Sequence, residues 1–173
     1  MDLHPPDEDA YGRVTNPGRY QFVVDATRTM IDDLVATYEV EATAGIPSVD
    51  FPDFRGSATD VVRLHPSGGA DLAFMFTDFP GVVVRAGESF ARAFPACGCD
   101  ACDESPTDVI DGLEELVGAV VEGRYVEELT RRAVSYTFAG VWGSSSSEKR
   151  LERGDWKQHG PLGRRQWSPW TKR

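Results

Sequence analysis

Leu72-Ala73-Phe74-Met75-Phe76-Thr77-Asp78-Phe79-Pro80-Gly81-Val82-Val83-Val84 is the stretch that decides the fold. Leu72, Phe74 and Phe76 alternate along one face of a strand, and Val82–Val84 is a β-branched run of the kind strands favour. Asp78-Phe79-Pro80-Gly81 between them reads as a tight turn. So short a connection joins antiparallel neighbours. Upstream, from Thr59, the period is again two: Val62 and Leu64 share one face, and Val61, Arg63 and His65 share the other. His65-Pro66-Ser67-Gly68-Gly69-Ala70-Asp71 turns that strand into the next. Downstream, Gly87 marks a bulge or turn, and Ser89–Phe94 reads as a fourth strand.

Helical periods flank this meander. Tyr20, Val23, Val24, Met30, Ile31, Leu34, Val35 and Tyr38 recur at intervals of three and four, predicting a helix over 17–41 with Asn16 as N-cap and Pro17 at its first position. Val109, Leu113, Leu116, Val117, Val120 and Val121 form a second apolar stripe. It opens with Ser105 as N-cap, Pro106 in the first turn and Asp108 completing a capping box, and it stops at Gly123. Residues 46–58 read as a loop. Val134, Tyr136 and Phe138 predict one more strand over 133–141. The fold class expected is α+β: two layers, a mainly antiparallel sheet of four to five strands, and two helices packed on one face.

The chain has 173 residues, which suits a single domain with a tail. The division expected is a flexible acidic lead over 1–15, an α+β domain over 16–143, and a basic, Trp-containing C-terminal tail over 144–173 opening on the linker-like Ser144–Ser147. Charge follows this division. Residues 1–143 carry 10 Arg against 25 acids, and 144–173 carry 8 Lys and Arg against 3 acids, within a net of −10. An acidic body repels phosphate backbones, so nucleic acid is disfavoured for it, and the expected partner is a basic protein. In the tail, Trp156, Trp167 and Trp170 alternate with cations, a pattern that suits stacking on nucleic acid or folding back onto the acidic body. Self-docking is favoured, because a tethered tail has the higher effective concentration.

The only three cysteines fall in Cys97-Gly98-Cys99-Asp100-Ala101-Cys102-Asp103-Glu104. No apolar run is long enough to span a membrane, and the acidic start lacks a signal-peptide core, so the expected compartment is the cytoplasm. A cytosolic cysteine cluster favours metal over a structural disulfide. The expected cofactor is structural zinc held by Cys97, Cys99 and Cys102, with His65 as the fourth ligand. His4, His159, Asp100 and Asp103 are the other donors in play. Two readings stand beside it. Cys99-Asp100-Ala101-Cys102 has the spacing of a thiol-disulfide pair, although Asp100, Asp103 and Glu104 would hold thiol pKa values up. Alternatively, the thiols are free and pack as small apolar groups in a turn.

Other chemistry is thin. Asp32-Asp33 and Glu114-Glu115 are adjacent on helices, point about 100° apart and form no dyad. The chain carries no G-x-S-x-G, Walker A, G-x-G-x-x-G or H-E-x-x-H. The function expected is a non-enzymatic binding module with an acidic surface and a zinc-stapled loop. The alternative is an enzyme: a thiol-disulfide oxidoreductase using Cys99 and Cys102, or a zinc-dependent hydrolase.

The sequence resembles an uncharacterised protein family of actinobacterial type. The resemblance rests on Tyr20–Tyr38, on the strand pair Val62–Val84, on Phe94–Glu104 with its CGCDACDE segment, and on Trp167-Ser168-Pro169-Trp170. It implies no activity. It does imply that the tail is part of the protein.

Overall fold

The computed structural model describes residues 8–140 and 145–173. Among the described residues, two antiparallel sheets and three α-helices make an α+β fold. The first sheet has the order β1-β2-β3-β4-β5 and holds β1 (Val40–Ala44), β2 (Ala58–Pro66), β3 (Leu72–Thr77), β4 (Val82–Ala86) and β5 (Phe90–Phe94). All four of its pairings are antiparallel. A second sheet, absent from the sequence reading, has the order β8-β7-β6-β9 and holds β6 (Tyr125–Leu129), β7 (Ala133–Phe138), β8 (Ser145–Arg150) and β9 (Gly163–Gln166).

Helices α1 (Gln21–Thr37) and α3 (Pro106–Val121) pack on one face of the first sheet, as the one-sided stripes demand. Val23, Thr27, Ile31 and Leu34 are the buried positions of α1, at steps of four, four and three. The buried Thr27 hydroxyl donates back to the Val23 carbonyl at 2.7 Å, so it is not left unsatisfied. Leu64, Leu72, Phe74 and Val84 meet these helices, and Tyr125, Leu129, Val134 and Phe138 of the second sheet join the same core.

The opposite face of the first sheet is also half covered. The short α2 (Pro47–Asp50) and Phe51 fold over it, burying Phe51, Val61, Ala73 and Met75 together. Central strand β3 is therefore buried on both faces, and Ala73 and Met75 serve this smaller core.

Several boundaries differ from the sequence reading. The helix expected to reach residue 41 ends at Thr37, and Tyr38 is extended. Two long-range partners pull the chain out of the helix: the Glu39 N–H binds the Thr171 carbonyl at 2.8 Å, and Val40 pairs with Pro66. Residues Pro17–Tyr20 form a 3-10 turn ahead of α1. Neither Asn16 nor Ser105 makes a side-chain cap. The expected capping box is thus not formed, and at α3 the Ser105 carbonyl takes the Val109 N–H at 3.0 Å instead. The loop over 46–58 contains α2. In the serine run read as a linker, the residues from Ser145 lie in β8, while Ser144 is outside the described residues. So are residues 1–7 of the expected lead. Among the described residues, no helix is long and apolar enough to cross a membrane.

Candidate metal centre

The cysteine segment links β5 to α3, and two sets of contacts shape it. The first is local. The Glu104 carboxylate reaches back to the Cys97 N–H at 2.9 Å and the Ala96 N–H at 3.4 Å. The Asp103 N–H closes a turn onto the Cys99 carbonyl at 3.2 Å. Gly98 is needed here for close approach, because the Phe79 ring lies where a Cβ would go.

The second set comes from the other end of the chain. The Asp100 N–H binds the Arg13 carbonyl at 2.8 Å, and the Ala101 N–H binds the Ala10 carbonyl at 3.3 Å. Asp100 accepts the Thr15 N–H at 2.9 Å and the Arg13 Nε–H at 3.0 Å. The Thr15 amide, with Arg13 beside it, holds the Asp100 carboxyl below its ordinary range. Asp103 pairs with Arg19 at 3.2 Å, and the Tyr20 hydroxyl donates to the Glu104 carbonyl at 3.0 Å. Residues 10–20 thus lie along the cysteine segment and occupy the carboxylates of Asp100 and Asp103.

Within this frame the three sulfurs converge. The Sγ atoms of Cys97, Cys99 and Cys102 all lie within 4.8 Å of one another, and Cys97 and Cys99 are 3.2 Å apart. All three thiols are free; Cys99 is buried and Cys102 exposed. A tetrahedral zinc with sulfurs at about 2.3 Å needs them about 3.8 Å apart, so this spacing suits an ion with adjustments of an ångström or less. The electrostatics also separate the thiols. Hydrogen bonding from Cys97, with help from the Cys102 backbone N–H, brings Cys99 down to about 6. The same thiols, Cys97 first, push Cys102 up to about 12. Neighbouring acids were expected to raise every thiol. Cys99 escapes, because hydrogen bonds from Cys97, from Cys102 and from the Gly12 backbone outweigh its desolvation.

His65 stands apart from the sulfurs. It lies in β2 opposite Glu41, and its Nδ1 is 2.8 Å from Asp71 Oδ2. His159 follows a 3-10 turn (Asp155–Gln158) and lines a cavity with Phe54 and Arg92. His4 lies outside the described residues. Among the described residues, the group able to hold a metal consists of the three cysteines alone. What the sequence reading missed is the N-terminal brace; Arg13 and Thr15 carry no local signal that they bind a segment 85 residues away.

An α+β protein with two antiparallel sheets and a three-thiol cluster is the class that these features define. The chain belongs to the Family of unknown function (DUF6226), whose model matches residues 2–173. No curated protein and no solved structure matches it.

Proposed function

We propose that the protein is a non-enzymatic cytoplasmic binding module that takes a basic protein segment on an acidic groove and carries a structural zinc. The groove between α1 and α3 is the observation behind the binding reading. It is an open trough of about 520 Å³. Met30, Leu34, Val117 and Val121 give it an apolar floor, and Asp33, Glu114 and Glu122 line it with negative charge. Among the described residues no Lys or Arg lines it, and Glu122 is paired with Arg124 at 2.7 Å. An amphipathic helix with a basic flank fits such a surface, with apolar anchors in the floor and cations on the rim. The test uses a labelled Leu/Lys amphipathic peptide and the full chain. The expected result is saturable binding that weakens with salt and falls about tenfold in the double variant Asp33→Lys/Glu114→Lys, since two attractive rim charges become repulsive. Equal affinity for the two proteins sinks the reading.

The convergence of Cys97, Cys99 and Cys102 supports the zinc. Zinc would fix the turn between β5 and α3 on which the N-terminal brace rests, a structural role for which three thiolates and one further donor suffice. Plasma mass spectrometry on protein purified without chelator is expected to find about one zinc per chain, with masked thiols, and none in Cys99→Ser. Three titratable thiols and no metal in the native protein contradict it.

One observation favours the enzymatic alternative. Cys99 is brought down to about 6 while Cys102 is pushed up to about 12, the pKa difference that a thiol-disulfide oxidoreductase uses. Metal-free protein with a single free thiol supports that alternative. So does a Cys99→Ser variant that keeps its fold and loses a measurable turnover.

A further inference from the structure

Arg63 and Arg85 sit on the outer face of the first sheet, away from α1 and α3. In register they flank Ala73: Arg63 pairs with Ala73, and Ala73 pairs with Arg85. The row beside them, Val61, Met75 and Val83, is packed with Phe51 and Phe54. The face therefore changes from a covered apolar half to an arginine half. Over the arginine half lies a cleft of about 210 Å³. Two strand spacings set the arginine backbones roughly 9.5 Å apart, and the small, buried Ala73 lies between them in the lining of the cleft.

Both guanidiniums are held in place. Asp50 is 2% exposed. It takes the Ile46 N–H at 2.7 Å with one oxygen, and its other oxygen lies 3.3 Å from Arg63 Nε in an ion pair. Arg85 donates to the carbonyls of Asp50 and Glu88, and among the described residues no carboxylate pairs with it. Its charge is oriented but not neutralised. Two carboxylates, Asp71 and Glu88, also line the cleft. Trp167 makes another wall, held by parallel stacking on Tyr125 at 5.2 Å.

From this we infer that the cleft binds a small zwitterion of the α-amino acid class, with its carboxylate between Arg85 and Arg63 and its ammonium toward Asp71 and Glu88. Guanidinium forks recognise carboxylates in two-point fashion, and an unneutralised, preoriented guanidinium has the most to gain. The carboxylates in the lining repel a polyanion and accept an ammonium. Size agrees: the cleft holds roughly seven waters' volume, below the roughly 300–1,000 Å³ of sites for drug-sized ligands.

The test is a titration of the isotope-labelled full chain, followed by amide NMR. The probes are the standard amino acids one at a time, then acetate, methylammonium and inorganic phosphate. At least one amino acid is expected to shift the amides of Ala73, Arg85 and Gly87 saturably, more tightly than acetate or methylammonium does. Arg85→Gln and Asp71→Asn are each expected to weaken it about tenfold, while Cys99→Ser leaves it unchanged. Asp71→Asn covers the case in which Arg85→Gln fails to fold. No saturable shift with any amino acid overturns the inference. Tighter binding of phosphate than of every amino acid overturns it too, and would mark a simple anion site.

Discussion

Trp170→Ala is expected to lower the unfolding free energy by about 3–5 kcal/mol, the range for removing a buried Trp. Out of about 5–15 kcal/mol for a whole domain, that approaches loss of the fold. The indole is 4% exposed. Its N–H donates to the Ala70 carbonyl at 2.9 Å, and its ring meets Tyr38 edge-on at 5.8 Å. The same residue's backbone N–H binds the Val121 carbonyl at 2.8 Å. One residue thus joins the end of α1, the end of α3 and the turn between β2 and β3. Behind it, Lys172 bridges to Tyr38, and the Arg173 N–H binds the Thr37 carbonyl at 3.0 Å. Urea unfolding followed by circular dichroism gives the number, and the matching fall in Tm is roughly 6–20 °C. Trp170→Phe keeps most of the packing but orphans the Ala70 carbonyl, so about 1–3 kcal/mol is expected for it. A loss below about 1 kcal/mol in Trp170→Ala would mean that the C-terminal residues contribute no core packing.

The elements legible in the sequence are those whose burial is one-sided and local. Strands β2 to β5 show themselves through alternation and short turns, and α1 and α3 through three-and-four spacing. The elements that escaped are set by distant pairing. β1 begins only three residues after α1 and carries Glu41 and Thr43. Its partner, β2, decides its state, and no local period does. β8 and β9 are the edges of the second sheet. Serines and charged residues fill β8, and Gly163-Arg164-Arg165-Gln166 makes β9, so no apolar period marks them and pairing with β7 and β6 defines them. The candidate site divides in the same way. Cysteine clustering is a property of adjacent residues and could be read directly. The Arg13–Thr15 brace and the engagement of His65 by Asp71 depend on the tertiary fold. Trp167 and Arg85 likewise meet only because separate segments converge on one cleft.

Glu127→Ala is expected to cost about 3 kcal/mol, because hydrogen bonds to a charged group carry about 1.5–3 kcal/mol each and a buried amide left without an acceptor costs about 1–3. In sequence Glu127 sits in Tyr125-Val126-Glu127-Glu128-Leu129 and reads as one more solvated acid of an acidic chain. In the fold it is 0% exposed. From β6 it accepts the Glu88 N–H at 3.1 Å, the Tyr125 hydroxyl at 3.0 Å and the Ser89 hydroxyl, and two of these donors belong to the turn between β4 and β5. The Tyr136 hydroxyl adds a bond to the Ser89 carbonyl at 3.0 Å. Glu127 therefore fastens the second sheet to the first. Gly87 makes room for it: its φ is +58°, and a Cβ there would lie 2.8 Å from the carboxylate and 2.9 Å from the Tyr125 ring. Glu127→Gln supplies a test that size alone does not move. Burial first, and then the neighbouring carboxylate, push the Tyr125 phenol well above its ordinary value. Both disfavour the phenolate, so removing the negative charge lets Tyr125 ionise at lower pH, still above an exposed tyrosine because burial remains. Ultraviolet titration of the phenolate is expected to show one tyrosine shifted downward in Glu127→Gln. An unchanged titration, with stability within about 0.5 kcal/mol of native in Glu127→Ala, would remove Glu127 from the junction between the sheets.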